Sequence, residues 1–160
     1  MKPHLAAVAA LAFTCPAVAG SPAAALREGD PCCWEVLFRK GTVGCGPHGP
    51  TQGTVLYADG NHPRVKARLQ GIVWKGKNFH DDGTFTNRWL GGVQAVSADT
   101  RVEPSWLDGE PCLVMQYAPN VPVFGNVRDE LRQIGPDLWL GRSYDAATGH
   151  AKNWFVLRGK

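Results

Sequence analysis

From Asn78 onward the chain is a succession of short, apolar–polar alternating runs separated by turn signals, and no other feature limits the fold as strongly. The runs are residues 84–90, 93–102, 112–118, 126–134, 138–144 and 152–157. Between them stand Asp81-Asp82-Gly83, Asp108-Gly109, a loop over 119–125, Gly135-Pro136 and Thr148-Gly149. Hairpin-length connections between neighbouring runs make an antiparallel meander, and closing the meander into a barrel removes its exposed edges. The expected fold is therefore mainly β, a small antiparallel barrel with one or two short N-terminal helices; α+β is the alternative. The 19 glycines and 12 prolines suit many short strands better than a helical bundle.

Upstream, the clearest helix signal follows Asp30, an N-cap, with Pro31 at the first helical position, where its missing N–H costs nothing. Cys33, Trp34, Leu37 and Phe38 fall on one face, and Arg39, Lys40 and Gly41 suit the C-terminal end. Residues 52–58 read as a strand. Residues 65–73 fit either element; as a helix, the reading preferred here, they put Val65, Leu69, Ile72 and Val73 on one face.

The N-terminus carries Lys2, an apolar stretch from Leu5 to Phe13, and Ala17-Val18-Ala19. That is the pattern of a cleavable signal peptide over 1–19, with cleavage near Ala19 and a periplasmic or extracellular destination. A flexible leader over 20–29 and a single β-rich domain over 30–160 follow. The apolar stretch is far short of the roughly 20 residues of a membrane span. The formal net charge of +3, with basic residues scattered along the chain, gives no expectation of nucleic acid.

Cleavage would remove Cys15 and leave Cys32, Cys33, Cys45 and Cys112 in an oxidising compartment, where cross-links are expected. Adjacent Cys32 and Cys33 do not readily bond to each other, so each is expected to pair with Cys45 or Cys112, in either order. The Cys45 and His48 spacing hints at a metal, as does His80 beside Asp81 and Asp82. Zinc-type sites usually carry two short ligand pairs, so no metal is expected.

If Leu131 points inward, so do Val127, Asp129 and Gln133, while Arg128, Glu130 and Arg132 face out. An inward carboxylate needs a partner such as Lys77 or Arg88. Asp129 is then either a polar anchor or general base in a cavity, or half of a structural ion pair. Tyr117 and Tyr144, at strand ends, complete the ligand-binding candidates Lys77, Arg88, Tyr117, Asp129 and Tyr144. No Gly-x-Ser-x-Gly elbow, phosphate loop or His-Glu-x-x-His occurs, and no cofactor is expected.

Three stretches carry a family resemblance: Trp74-Lys75-Gly76-Lys77-Asn78-Phe79, Ser105-Trp106-Leu107-Asp108-Gly109-Glu110-Pro111, and Arg128-Asp129-Glu130-Leu131-Arg132 running to Pro136-Asp137-Leu138-Trp139-Leu140-Gly141. They resemble a group of uncharacterised bacterial proteins, which implies a shared fold and transfers no activity. The strand pattern is also similar to the lipocalin-like (calycin) barrels, although their Gly-x-Trp signature is absent: Gly71 and Trp74 are three apart. The leading expectation is an exported barrel that binds a small apolar or amphipathic molecule in its lumen. The alternatives are a hydrolase or isomerase using Asp129 or Glu130 with Arg88 or Lys77, and a non-catalytic protein of the cell envelope. The sequence carries no signal for oligomeric state.

Overall fold

In a computed structural model that describes residues 26, 29–58, 63–122 and 124–159, nine antiparallel strands form one nearly closed barrel. In chain order the elements are α1 (Pro31–Lys40), β1 (Gly49–Pro50), β2 (Gln52–Ala58), α2 (Pro63–Val73), β3 (Trp74–Phe79), β4 (Thr84–Trp89), β5 (Gln94–Pro104), β6 (Pro111–Gln116), β7 (Val127–Gly135), β8 (Leu138–Asp145) and β9 (Ala151–Arg158). A single 3-10 turn (Leu90–Gly92) joins β4 to β5. The strand order is β1-β3-β4-β5-β6-β7-β8-β9-β2, the expected meander. The signal peptide expected over 1–19 lies outside the described residues.

β1 and β2 are two halves of one extended segment bent at Thr51. The first half pairs with β3 and the second with β9, so this segment joins the two ends of the sheet. Thr51 is buried at the bend; its N–H and its Oγ1 each donate to the Lys77 carbonyl at 2.8 Å. The backbones approach so closely here that only glycine fits. A Cβ on Gly53 would lie 2.6 Å from the Gly76 Cα, and one on Gly76 would lie 2.4 Å from the Thr51 oxygen. Gly76 also holds φ at +124°, outside the usual range of L side chains.

Strand alternation sorts the apolar residues into two cores. Phe79, Phe85, Met115, Leu131, Trp139, Phe155 and Leu157 fill the barrel interior. On the outer wall, Cys112, Val114, Leu138, Leu140, Trp154 and Val156 pack beneath α1. Leu26, within the segment expected to be a leader, is buried in that outer core. α1 forms as its sequence predicts: Asp30 Oδ1 accepts from the Cys33 N–H at 3.0 Å, and Trp34, Leu37 and Phe38 are buried. The ring of Phe38 meets Trp154 edge-on at 5.9 Å. The 63–73 segment is helical, as preferred. β3 and the short β1 were not anticipated, because Trp74-Lys75-Gly76-Lys77 lacks strand alternation and carries a register shift between Trp74 and Gly76.

The expected pairings of Cys32, Cys33, Cys45 and Cys112 with one another are not formed: Cys32, Cys45 and Cys112 are free thiols, while Cys33 is itself disulfide-bonded. Cys112 lies on the outer wall under α1 and donates to the Glu103 carbonyl at 3.5 Å, while Cys32 and Cys45 point into solvent. Burial, reinforced by the Glu130 charge, pushes the Cys112 thiol up to about 12, so the nucleophilic thiolate is suppressed.

Candidate functional site: a polar floor in the barrel lumen

Four strands bring inward-facing polar side chains to one level of the lumen. β3 supplies Lys77 and β4 supplies Asn87, its partner in register. β7 supplies Asp129 and β8 supplies Ser143, again paired in register, and Tyr117 follows the end of β6. Lys77 is 2% exposed, so its ammonium must be matched. Its Nζ donates to Asp129 Oδ2 at 3.0 Å, to the Tyr117 hydroxyl at 2.8 Å and to Asn87 Oδ1 at 3.2 Å. The second carboxylate oxygen of Asp129 accepts from Ser143 Oγ at 2.5 Å. Asn87 Nδ2 donates to Tyr117 at 2.8 Å, and Trp74 Nε1 donates to Asn87 Oδ1 at 3.1 Å. The ammonium also lies 4.4 Å from the centre of the Phe85 ring, a cation–π contact in a water-poor setting.

A bulge supports this floor. The β4–β5 register shifts between Thr86 and Asn87, leaving Val96 unpaired at φ +65°. Such bulges re-aim groups beside sites, and here the Val96 carbonyl is turned to within 3.5 Å of Asn87 Nδ2. The Tyr117 oxygen accepts from both Lys77 and Asn87, so the phenol's own proton remains available to a guest.

Above the floor lies a cavity of about 270 Å³. Its walls are mainly apolar, with Val55, Trp74, Trp89, Val127 and Phe155, and its rim includes Gln70 and Val73 of α2, Phe124 and Lys152. The Oε1 atom of Gln70 is buried without a hydrogen-bond partner among the described residues. The Lys77–Asp129 pair leaves the floor with no net charge.

Burial pulls the Lys77 ammonium down, but the charges and hydrogen bonds of Tyr117 and Asp129 together outweigh it, and its pKa is raised. Burial pushes the Tyr117 phenol up, against the pull of Lys77. Both groups, and Cys112, therefore keep their protons in the folded chain to higher pH than in the unfolded one. Their contribution to stability is intact below the unfolded values (10.5 for Lys77, 10.0 for Tyr117, 9.0 for Cys112) and is lost as pH rises through the folded ones. The urea midpoint, followed by tryptophan fluorescence, is expected to fall steadily above about pH 9–10. A flat profile through pH 11 would show these groups to be hydrated.

Of the residues anticipated from sequence, Lys77, Tyr117 and Asp129 meet in the lumen. Arg88 does not: its guanidinium donates to the Thr51 carbonyl at 2.8 Å, at the barrel's closure. Tyr144 lies on the outer wall, its ring 5.5 Å from Trp106. Glu130 is also on the outer wall, where it accepts from Ser105 Oγ at 2.5 Å, the Trp106 N–H at 2.8 Å and Arg128 Nε at 2.9 Å. Of the residues offered for a hydrolase or isomerase, Asp129 and Lys77 therefore converge in the lumen, whereas Arg88 and Glu130 face away from them. Asn87 and Ser143 were missed. The signal for Asn87 was the hairpin turn Asp81-Asp82-Gly83, which sets Lys77 opposite Asn87 once Phe79 is paired with Phe85. Among the described residues no cluster of three His, Cys, Asp or Glu side chains is placed to hold a metal.

The chain matches no protein-family model and no curated protein. The crystal structure of a protein from Thermomonospora curvata is similar to it, with a TM-score of 0.56 and 17% identity, over 82% of this chain and 88% of that one. At that identity the likeness shows the fold alone. The calycin resemblance accordingly rests on the strand pattern.

Proposed function

We propose that the protein binds a small, uncharged, largely apolar molecule with one hydrogen-bonding end inside the barrel lumen, and that it does so outside the cytoplasm. The observation that carries the binding reading is the pairing of apolar walls with a charge-balanced polar floor around an open cavity. At about 270 Å³ the cavity sits near the lower limit of the roughly 300–1,000 Å³ typical of small-molecule sites, which favours a compact guest. The matched Lys77–Asp129 pair gives no net attraction for an anion or a cation. An acceptor on the guest would meet the Tyr117 proton, and a donor would meet the buried Gln70 oxygen. The leader pattern of residues 1–19 supports an extracytoplasmic setting.

A neutral fluorescent probe, N-phenyl-1-naphthylamine, tests the binding reading. It is expected to brighten on addition of protein and to quench emission from Trp74 and Trp89, which line the cavity. Val127→Trp fills the lumen from its wall, and is expected to weaken probe binding at least about tenfold with an unchanged β spectrum. Binding that ignores this substitution would remove the lumen as the site.

A further inference from the structure

The helix that borders the lumen presents a second, unused face. Val65, Leu69 and Ile72 recur at four- and three-residue spacing on α2 and are 59%, 59% and 54% exposed. On the opposite side Ala67 is buried against the barrel and Gln70 borders the cavity. The apolar stripe therefore points to solvent, the reverse of the usual arrangement of a surface helix. It continues beyond the helix: a shallow groove joins Ile72 to Leu90, and Val93, three residues after Leu90, is exposed as well. Cations edge the same surface. Arg64, Arg68 and Lys75 line that groove, no acidic residue lines it, and none occurs between Pro63 and His80.

We infer that the exposed face of α2, with Leu90 and Val93, docks onto an anionic lipid surface, seating the lumen's rim against the headgroups. An apolar stripe edged by Arg and Lys is the composition of helices that lie in a bilayer interface, their apolar side chains among the acyl chains and their cations at anionic headgroups. A second copy of this chain would bring a like-charged face against Arg64, Arg68 and Lys75, which disfavours it as the occupant. Among the described residues no helix is long and apolar enough to cross a membrane. The inference stands apart from the lumen reading, because Leu69 and Ile72 do not line the cavity.

Flotation of the full-length protein with vesicles tests it. The protein is expected to float with phosphatidylglycerol vesicles, to remain behind with phosphatidylcholine vesicles, and to be released in about 1 M salt, where the Debye length falls to about 3 Å. Leu69→Glu with Ile72→Glu is expected to weaken vesicle binding about tenfold or more, leaving the thermal midpoint and N-phenyl-1-naphthylamine binding unchanged. Arg64→Gln, Arg68→Gln and Lys75→Gln together are expected to weaken it on the order of a hundredfold. Failure to float with phosphatidylglycerol, or flotation indifferent to both sets, overturns the inference. So does a dimer in sedimentation velocity that the Leu69→Glu and Ile72→Glu pair dissolves.

Discussion

Replacing Lys77 with methionine is expected to cost about 3–5 kcal/mol of folding stability, because it strands a buried carboxylate. Among the described residues Asp129 would keep only its hydrogen bond from Ser143. Asp129→Leu is expected to cost a similar amount for the mirror reason, leaving an ammonium with Tyr117 and Asn87 alone. The double substitution removes both charges and is expected to recover most of the loss, giving a large coupling energy in a double-mutant cycle by urea denaturation. Single losses below about 1 kcal/mol would mean that water enters the cavity and solvates the pair. The cycle also bears on function: charge balance explains why a small barrel tolerates Lys and Asp in its interior, and it leaves the floor suited to neutral guests.

The second large effect is expected on the outer wall. Arg132 is 1% exposed, and its guanidinium makes two hydrogen bonds to Asp108, at 2.8 and 2.7 Å. It also donates to the carbonyls of Phe38, Glu110 and Pro111, and its plane stacks on Phe38 4.6 Å away. One side chain therefore fastens both the end of α1 and the 105–111 turn to β7. Arg132→Ala is expected to cost about 3–5 kcal/mol and to expose the 105–111 turn to proteolysis before the barrel unfolds. Arg132→Lys is expected to retain little of this, since a single ammonium cannot reproduce the fork. Intact resistance of the turn in Arg132→Ala would assign its anchoring to Arg128 and Glu130 instead.

β7 shows what was legible in the sequence and what was not. Alternation about Leu131 correctly sends Asp129 inward and Arg128, Glu130 and Arg132 outward. It does not reveal that the outward residues are themselves buried, at 4%, 0% and 1% exposure. That burial comes from a second layer, α1 and the 105–111 turn, laid over the wall; a strand's own period carries no information about such a cover. The caps of α1 were readable because Asp30, Pro31 and Gly41 act on local backbone. β3 was not: Lys77 could be offered as a partner for Asp129, but nothing local in Trp74-Lys75-Gly76-Lys77 marks the strand that carries it to that carboxylate, far along the chain. The cysteine pairing failed for a related reason, since an even count says nothing of distance or of which thiols α1 buries.

The junction of β2 with β9 has a consequence for assembly. Every other neighbouring pair from β3 to β9 is a hairpin or short connection that can zip locally, whereas this one joins the first long strand to the last. The Gln52–Ala58 edge is therefore expected to dock last, after the hairpins of the meander have formed. Until then the chain displays a sticky strand margin to its neighbours. Substitutions at Gly53 or Gly76, where a Cβ would meet backbone atoms of the facing segment, are expected to slow that closure more than any single hairpin.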